Sequence, residues 1–234
     1  MTDITADTAS PRDMPVVPAR IHRIHSALPT TVDRRAEFLL HPLSERSGAF
    51  RVLRHRIAER GDPRVLLVTS ATDGEGKTTC ALNLALALRE SGRYRVLLVE
   101  ANTRRPVLGA LLGLTVPVCA LEQMVHHRQS PEAPWTTVEV HNLDVLAVAP
   151  RKEPLSCMHG PSVTAALDSL RVAYDFVVVD TSAILTGLDI PMLEDACDGI
   201  ILCARARRSR GRALREALEH VTTRHVLGTV LVDI

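Results

Sequence analysis

The run Ala71-Thr72-Asp73-Gly74-Glu75-Gly76-Lys77-Thr78-Thr79 constrains this chain more than any other feature, because it joins an apolar run at 65–68 to a helical pattern over about 77–90. A glycine-bearing turn that follows a buried strand and opens a helix with Gly-Lys-Thr is a phosphate-binding loop. Gly74 and Gly76 let backbone N–H groups curl toward phosphate oxygens, and the helix N-terminus adds partial positive charge. Lys77 reaches the outer phosphates and Thr78 offers its hydroxyl to Mg2+. The expected ligands are ATP and Mg2+, with Asp73, Gly74, Glu75, Gly76, Lys77, Thr78 and Thr79 forming the binding segment. Ala71 stands where such loops have their first glycine, and a residue that small fits the turn.

The rest of the chain repeats the same alternation. Apolar runs at 96–99, 143–148, 176–179, 200–203 and 226–232 are separated by helical stretches around 163–172, 190–196 and 211–221. Runs of Val, Ile and Leu without a polar alternation are strands covered on both faces. The expected fold is therefore α/β, a P-loop NTPase with a doubly wound, mostly parallel sheet and helices on both faces. Upstream of the loop, residues 49–57 read as a helix with Phe50, Leu53 and Ile57 on one side and arginines on the other. Residues 1–32, rich in Thr, Ser, Asp and Pro, read as a mobile N-terminal arm, and 33–234 as the nucleotide-binding domain. The segment 114–141 has no legible period.

A chain of 234 residues, 46% of them hydrophobic, can bury one substantial core. Lys and Arg (28) nearly balance Asp and Glu (27), so no excess positive charge exists to hold nucleic acid. The apolar stretch 107–121 is broken by Gly109, Gly113 and Pro117 and is too short to span a bilayer, and the N-terminus lacks a signal-peptide pattern. A cytoplasmic protein without direct membrane insertion is expected. Cys80, Cys119, Cys157, Cys197 and Cys203 form no CxxC pair and read as reduced core thiols.

Two further strand ends carry candidate chemistry. Asp180 closes the apolar run beginning at Phe176, which places it at the C-terminal edge of a strand, where ligands bind in open α/β sheets. The strand after the P-loop helix ends in Glu100, Asn102, Arg104 and Arg105. Arg205 to Arg210 read as a solvated loop before a helix, with contact to nucleotide or a partner as the alternative, His126 and His127 as exposed, and Trp135 as a packing residue, with a contact site as the alternative.

Together, 71–79, 96–106, 142–146 and 174–181 resemble the bacterial tyrosine kinases of capsule and exopolysaccharide biosynthesis, with the likeness running from about 47 to 233. Their P-loops end in Gly-Glu-Gly-Lys-Ser/Thr, and their next strand typically ends in Asp-Ala-Asp-hydrophobic-Arg-Arg-Pro. The resemblance implies transfer of the ATP γ-phosphate to protein tyrosine, with Lys77, Glu100 and Asp180 as catalytic residues. Lys77 and Thr78 would hold MgATP, Glu100 would help deprotonate the attacking tyrosine, and Thr78, Asn102 and Asp180 would serve the metal. It also implies a transmembrane polysaccharide co-polymerase or activator as partner, recruiting the chain to the inner face of the membrane, and leaves a homo-oligomer open.

The chain departs from that pattern in ways that keep alternatives open. Glu100 and Asn102 replace two aspartates, which predicts weaker Mg2+ dependence or lower turnover. Tyr94 and Tyr174 are the only tyrosines, whereas these kinases usually end in a tyrosine cluster. Their assembly helix often reads Glu-x-x-Arg-x-x-Arg; Arg51 and Arg54 match, but Gly48 stands at the glutamate position. Asp189 corresponds to a later acidic position. One alternative is a catalytically weakened, ATP-binding regulator of a membrane polysaccharide co-polymerase. A lesser one is a partition-type ATPase, whose signature lysine would fall at Thr72.

Overall fold

The computed structural model describes residues 19–26, 32–61, 63–149, 160–187 and 190–233. In chain order these form β1 (Ile21–His25), α1 (Glu37–Leu40), α2 (Glu45–Ala58), β2 (Val65–Ser70), α3 (Lys77–Arg89) and β3 (Val96–Glu100). There follow α4 (Leu108–Leu111), α5 (Ala120–Gln129), β4 (Trp135–Val140), β5 (Leu143–Leu146), α6 (Gly160–Ala173) and β6 (Phe176–Asp180). The last elements are α7 (Ile190–Glu194), β7 (Gly199–Arg205), α8 (Gly211–Glu219), a 3-10 turn at Thr223–His225 and β8 (Val226–Val232).

The strands make one sheet in the order β1-β4-β5-β3-β6-β2-β7-β8. Every neighbouring pair is parallel except β4 and β5, whose hairpin turns at His141 and Asn142 with φ of 51° and 60°. Positive φ at both central residues is what a two-residue hairpin that follows the strand twist requires. The expected doubly wound, mostly parallel sheet is the one observed.

Alternation along each central strand sorts the core into two layers. Leu67, Leu97, Val99, Val177 and Val179 pack with α5, α6 and α7 residues such as Met124, Leu167 and Leu193. Leu66, Val68, Leu98 and Val178 pack on the other side with Ile57 of α2 and Leu82, Leu84 and Leu88 of α3. Both faces are thus covered, which is why the strands lack a polar alternation.

Within the segment read as a mobile arm, Ile21–His25 is an edge strand paired parallel to β4, from Ile21 opposite Trp135 to His25 opposite Glu139. Arg23 anchors it through a 2.8 Å bond from Nε to Asp144, which also accepts from the buried Tyr174 hydroxyl at 2.6 Å. Burial and the Asp144 charge together raise the Tyr174 pKa far above that of an ordinary phenol. Residues 1–18 and 27–31 of that segment lie outside the described residues. So do Cys157 and Asp189; the other four cysteines are free thiols and buried.

Asn83, wholly buried on α3, binds the chain upstream of α2 to the P-loop helix. Its side-chain oxygen accepts from Phe38 N–H at 2.8 Å, and its amide donates to the carbonyls of Arg35 and Thr79, each at 2.7 Å.

Candidate active site

The P-loop leaves the centre of the sheet at the C-terminal end of β2 and turns into α3. Gly74 and Gly76 have φ of +80° and +93°, values that an L side chain rarely adopts, and Gly76 caps α3 by accepting from Cys80 N–H at 2.8 Å. A Cβ at Gly76 would sit 2.9 Å from Val232 Cγ1, so the C-terminal strand also requires a glycine there. The buried Glu75 holds the turn from within: one carboxylate oxygen accepts Thr72 N–H at 2.8 Å and the other accepts the Ser209 hydroxyl. Lys77 is nearly enclosed, and its ammonium lies 3.5 Å from Asp73 Oδ1 on the loop's own rim.

Across from α3, β6 delivers Asp180 to the same place. Thr78 Oγ1 donates to Asp180 Oδ2 at 2.6 Å, while Asp180 Oδ1 is buried without a hydrogen-bond partner. Burial pushes the Asp180 pKa up to about 7; the Glu100 charge adds to the rise, and the Thr78 bond and Lys77 oppose it. An orphaned carboxylate oxygen beside a threonine hydroxyl fits a divalent cation that takes most of its ligands from phosphate and water. Among the described residues no cluster of three or more His, Cys, Asp or Glu could hold a metal by itself.

Glu100, to which the resemblance gives the role of a base, is engaged by backbone donors. Its side chain is completely buried, Oε1 accepting from Val107 N–H at 2.5 Å and Leu108 N–H at 2.8 Å, and Oε2 from Val148 N–H at 2.9 Å. Burial raises its pKa, against which those backbone donors pull. The extra methylene relative to aspartate extends the carboxylate into the start of α4 and the end of β5, where it staples two loops. All three of these bonds hold the carboxylate within its own chain. Asn102 is half-buried and its oxygen accepts from Arg105 N–H at 3.3 Å. Among the described residues it makes no hydrogen bond to Thr78 or Asp180.

The basic run after β7 is likewise not merely a solvated loop. Arg205 Nη1 lies 3.4 Å from the Gly74 carbonyl, Ser209 binds Glu75, and the Arg208 guanidinium rests against Gly74. The P-loop is thus braced by β7, β8 and β6 together.

No protein-family model matches the sequence. Among curated proteins, the tyrosine-protein kinase CpsD of Streptococcus agalactiae serotype III (strain NEM316) is 26% identical over 178 residues, 74% of this chain and 75% of that protein. The tyrosine-protein kinase YwqD of Bacillus subtilis (strain 168) is 28% identical over 196 residues, 82% of each. The chain is similar to bacterial tyrosine-protein kinases. The succinoglycan biosynthesis transport protein ExoP of Rhizobium meliloti (strain 1021) is 28% identical over 180 residues, 73% of this chain but 22% of ExoP.

Solved structures agree on the fold. The chimerical protein CapA2B2 superposes with a TM-score of 0.71 at 22% identity, covering 92% of this chain and 94% of that one. The VpsO kinase domain gives 0.62 at 26% identity, over 86% and 91%. The septum site-determining protein MinD from Pyrococcus horikoshii OT3, complexed with Mg-ADP, gives 0.56 at 23% identity over 72% and 69%. The resemblance read from the motifs to the tyrosine kinases is borne out, and the fold is that of P-loop ATPases and kinase domains.

Beside these kinases, two features of α2 stand out. Arg51 makes a forked pair with Glu90 at 2.5 to 3.0 Å, and Arg54 reaches the same Glu90 at 3.3 Å and the Ala87 carbonyl at 2.7 Å. Both arginines that match the kinases' assembly motif are thereby engaged on this chain's own α3. His127, expected to be exposed, is buried, its ring centroid 4.3 Å from that of Trp135, while His126 is exposed. Val232 carries no signal of a site contact in the sequence, and for Ser209 and Arg208 the sequence favours a solvated loop over a nucleotide contact. The basic run was the one signal that pointed toward these two.

Proposed function

We propose that this chain binds MgATP at residues 71–79 and transfers its γ-phosphate to a tyrosine of another protein, in the control of capsule or exopolysaccharide production. The observation that carries the reading is the Thr78–Asp180 pair with its unpartnered buried oxygen beside Lys77, in a chain whose curated relatives are named tyrosine-protein kinases. MgATP supplies the phosphoryl group and the metal's charge. The chain's own part is positioning and charge: backbone N–H groups of 74–78 and the α3 N-terminus cradle phosphate, Lys77 meets the outer phosphates, and Thr78 with Asp180 holds the metal. Neither Tyr94 nor the buried Tyr174 is placed to accept at this site, because both precede strands, at the opposite edge of the sheet from the P-loop. A transmembrane polysaccharide co-polymerase is the partner that fits. No helix among the described residues is long and apolar enough to cross a membrane.

A second reading, an ATP-binding regulator with weakened chemistry, is favoured by Glu100, whose carboxylate is consumed by backbone donors. One experiment separates the two. The purified chain is incubated with γ-labelled ATP, Mg2+ and the cytoplasmic part of a co-polymerase carrying tyrosines, with Lys77→Ala as control. Label on tyrosine that disappears in the control establishes the kinase. Bound but untransferred ATP establishes the regulator, and label released only as inorganic phosphate points to an ATPase.

A further inference from the structure

We propose that Arg208, on the turn between β7 and α8, is a phosphate-chain ligand that completes the nucleotide site within the same chain. The inference rests on reading 71–79 as the nucleotide site and extends it to a segment outside the P-loop motif. A Cβ built on Gly74 lies 3.9 Å from Cζ, Nη1 and Nη2 of Arg208 alike, so the guanidinium lies face-on over the glycine at the mouth of the loop. That side chain is exposed and has neither hydrogen bond nor ion pair with any described residue, although Glu75 and Asp73 are close in sequence to the glycine it covers.

The turn that presents it is tightly built. Arg207 adopts φ of +60°, uncommon for a residue with a long side chain, and is followed by Arg208 N–H and Ser209 N–H, both donating to the Arg205 carbonyl at 3.2 and 2.9 Å. Arg205 N–H returns a 2.7 Å bond to Ser209 Oγ, Ala206 N–H donates to the Val232 carbonyl at 2.9 Å, and the Ser209 hydroxyl donates to Glu75. Off-centre backbone conformations held by this many bonds cluster where a side chain must be aimed.

Charge supplies the need. The P-loop's own ionisable side chains are two acids, Asp73 and Glu75, and one base, Lys77. A polyphosphate brought to such a loop requires more positive charge than the loop provides, and a guanidinium matches phosphate oxygens with paired N–H donors.

Calorimetric titration of the purified chain with AMP, MgADP and a non-hydrolysable MgATP analogue, at low and high salt, tests this. Arg208→Ala should weaken the triphosphate analogue by about tenfold or more, ADP by less and AMP hardly at all, and should flatten the salt dependence. Arg208→Lys should recover part of the loss, and Arg212→Ala, exposed on α8, should stay within about twofold of wild type. If Arg208→Ala shifts the melting transition, Arg208→Gln is read in its place. Affinity for the triphosphate analogue within about twofold of wild type in these variants overturns the proposal, as does an equal loss for all three nucleotides. A chain whose affinity depends on Arg208 but which never labels tyrosine keeps this inference and loses the kinase reading; tyrosine labelling with unchanged Arg208→Ala affinity does the reverse.

Discussion

Glu100 and Asp180 are register partners at the C-terminal ends of the neighbouring parallel strands β3 and β6, yet three backbone donors saturate one carboxylate while the other keeps an unpaired oxygen. Two acids at equivalent heights of one sheet edge therefore divide into a staple and a group with a free oxygen beside Thr78.

The staple is the easier to test. Glu100→Gln places an NH2 group against at least one backbone donor, and should lower unfolding stability by about 1–3 kcal/mol while leaving MgADP affinity within about twofold. Urea denaturation together with calorimetry checks both. A large fall in kcat with unchanged stability would support the role of a base for Glu100.

Asp180 should behave in the opposite sense. Its folded pKa, raised to about 7, means that the fold loses stability as pH rises above the ordinary carboxylate range, and that the loss levels off once pH passes about 7. Asp180→Asn removes this dependence. In the absence of metal and nucleotide the variant should melt at higher temperature than wild type at pH 8 and show little gain at pH 4. It should also lose Mg2+-dependent nucleotide affinity, so the stabilisation accompanies lost function.

Gly76→Ala combines a strained φ with a contact to Val232 that is too close. It should reduce stability by about 1–3 kcal/mol and abolish measurable nucleotide binding. The additional change Val232→Ala should restore part of the stability and none of the backbone strain, which a double-mutant cycle in thermal denaturation would resolve.

Asn102→Asp retains an acceptor for Arg105 N–H and restores the acid that the kinase pattern carries at this position. Stability should change by less than about 0.5 kcal/mol, while the Mg2+ concentration for half-maximal phosphotransfer falls or turnover rises. An unchanged Mg2+ titration and an unchanged rate would remove Asn102 from the metal site.

The parts of the molecule that sequence made legible are those whose burial is complete. The strands β2, β3, β6 and β7 are covered on both faces, so 65–68, 96–99, 176–179 and 200–203 stand out as apolar runs, and the P-loop stands out because its glycines and lysine have a fixed order. The segment 114–141 was illegible because β4 meets both layers, Trp135 in one and Val140 in the other, with Thr136, Thr137 and Glu139 interleaved among its apolar residues. Its partners, α5 and the edge strand β1, carry little apolar pattern of their own. His127 looked polar, and its burial depends on Trp135, a contact between elements that no local period encodes. Glu100 shows the same limit at the site: an acid at a strand end was visible, but the direction of its carboxylate was set by the folding back of 107–108 and 148 onto it.

Asn83 has a consequence for where this domain starts. The motifs that carry the likeness to tyrosine kinases begin near residue 47, but two of the three bonds of the buried Asn83 amide go to Arg35 and Phe38. A chain trimmed to the region of likeness would strand that amide in the layer beneath the P-loop helix, and the helix that must hold phosphate would begin above an unfilled gap. The working border of the domain thus lies a dozen residues or more upstream of its sequence motifs, at about residue 32 or before.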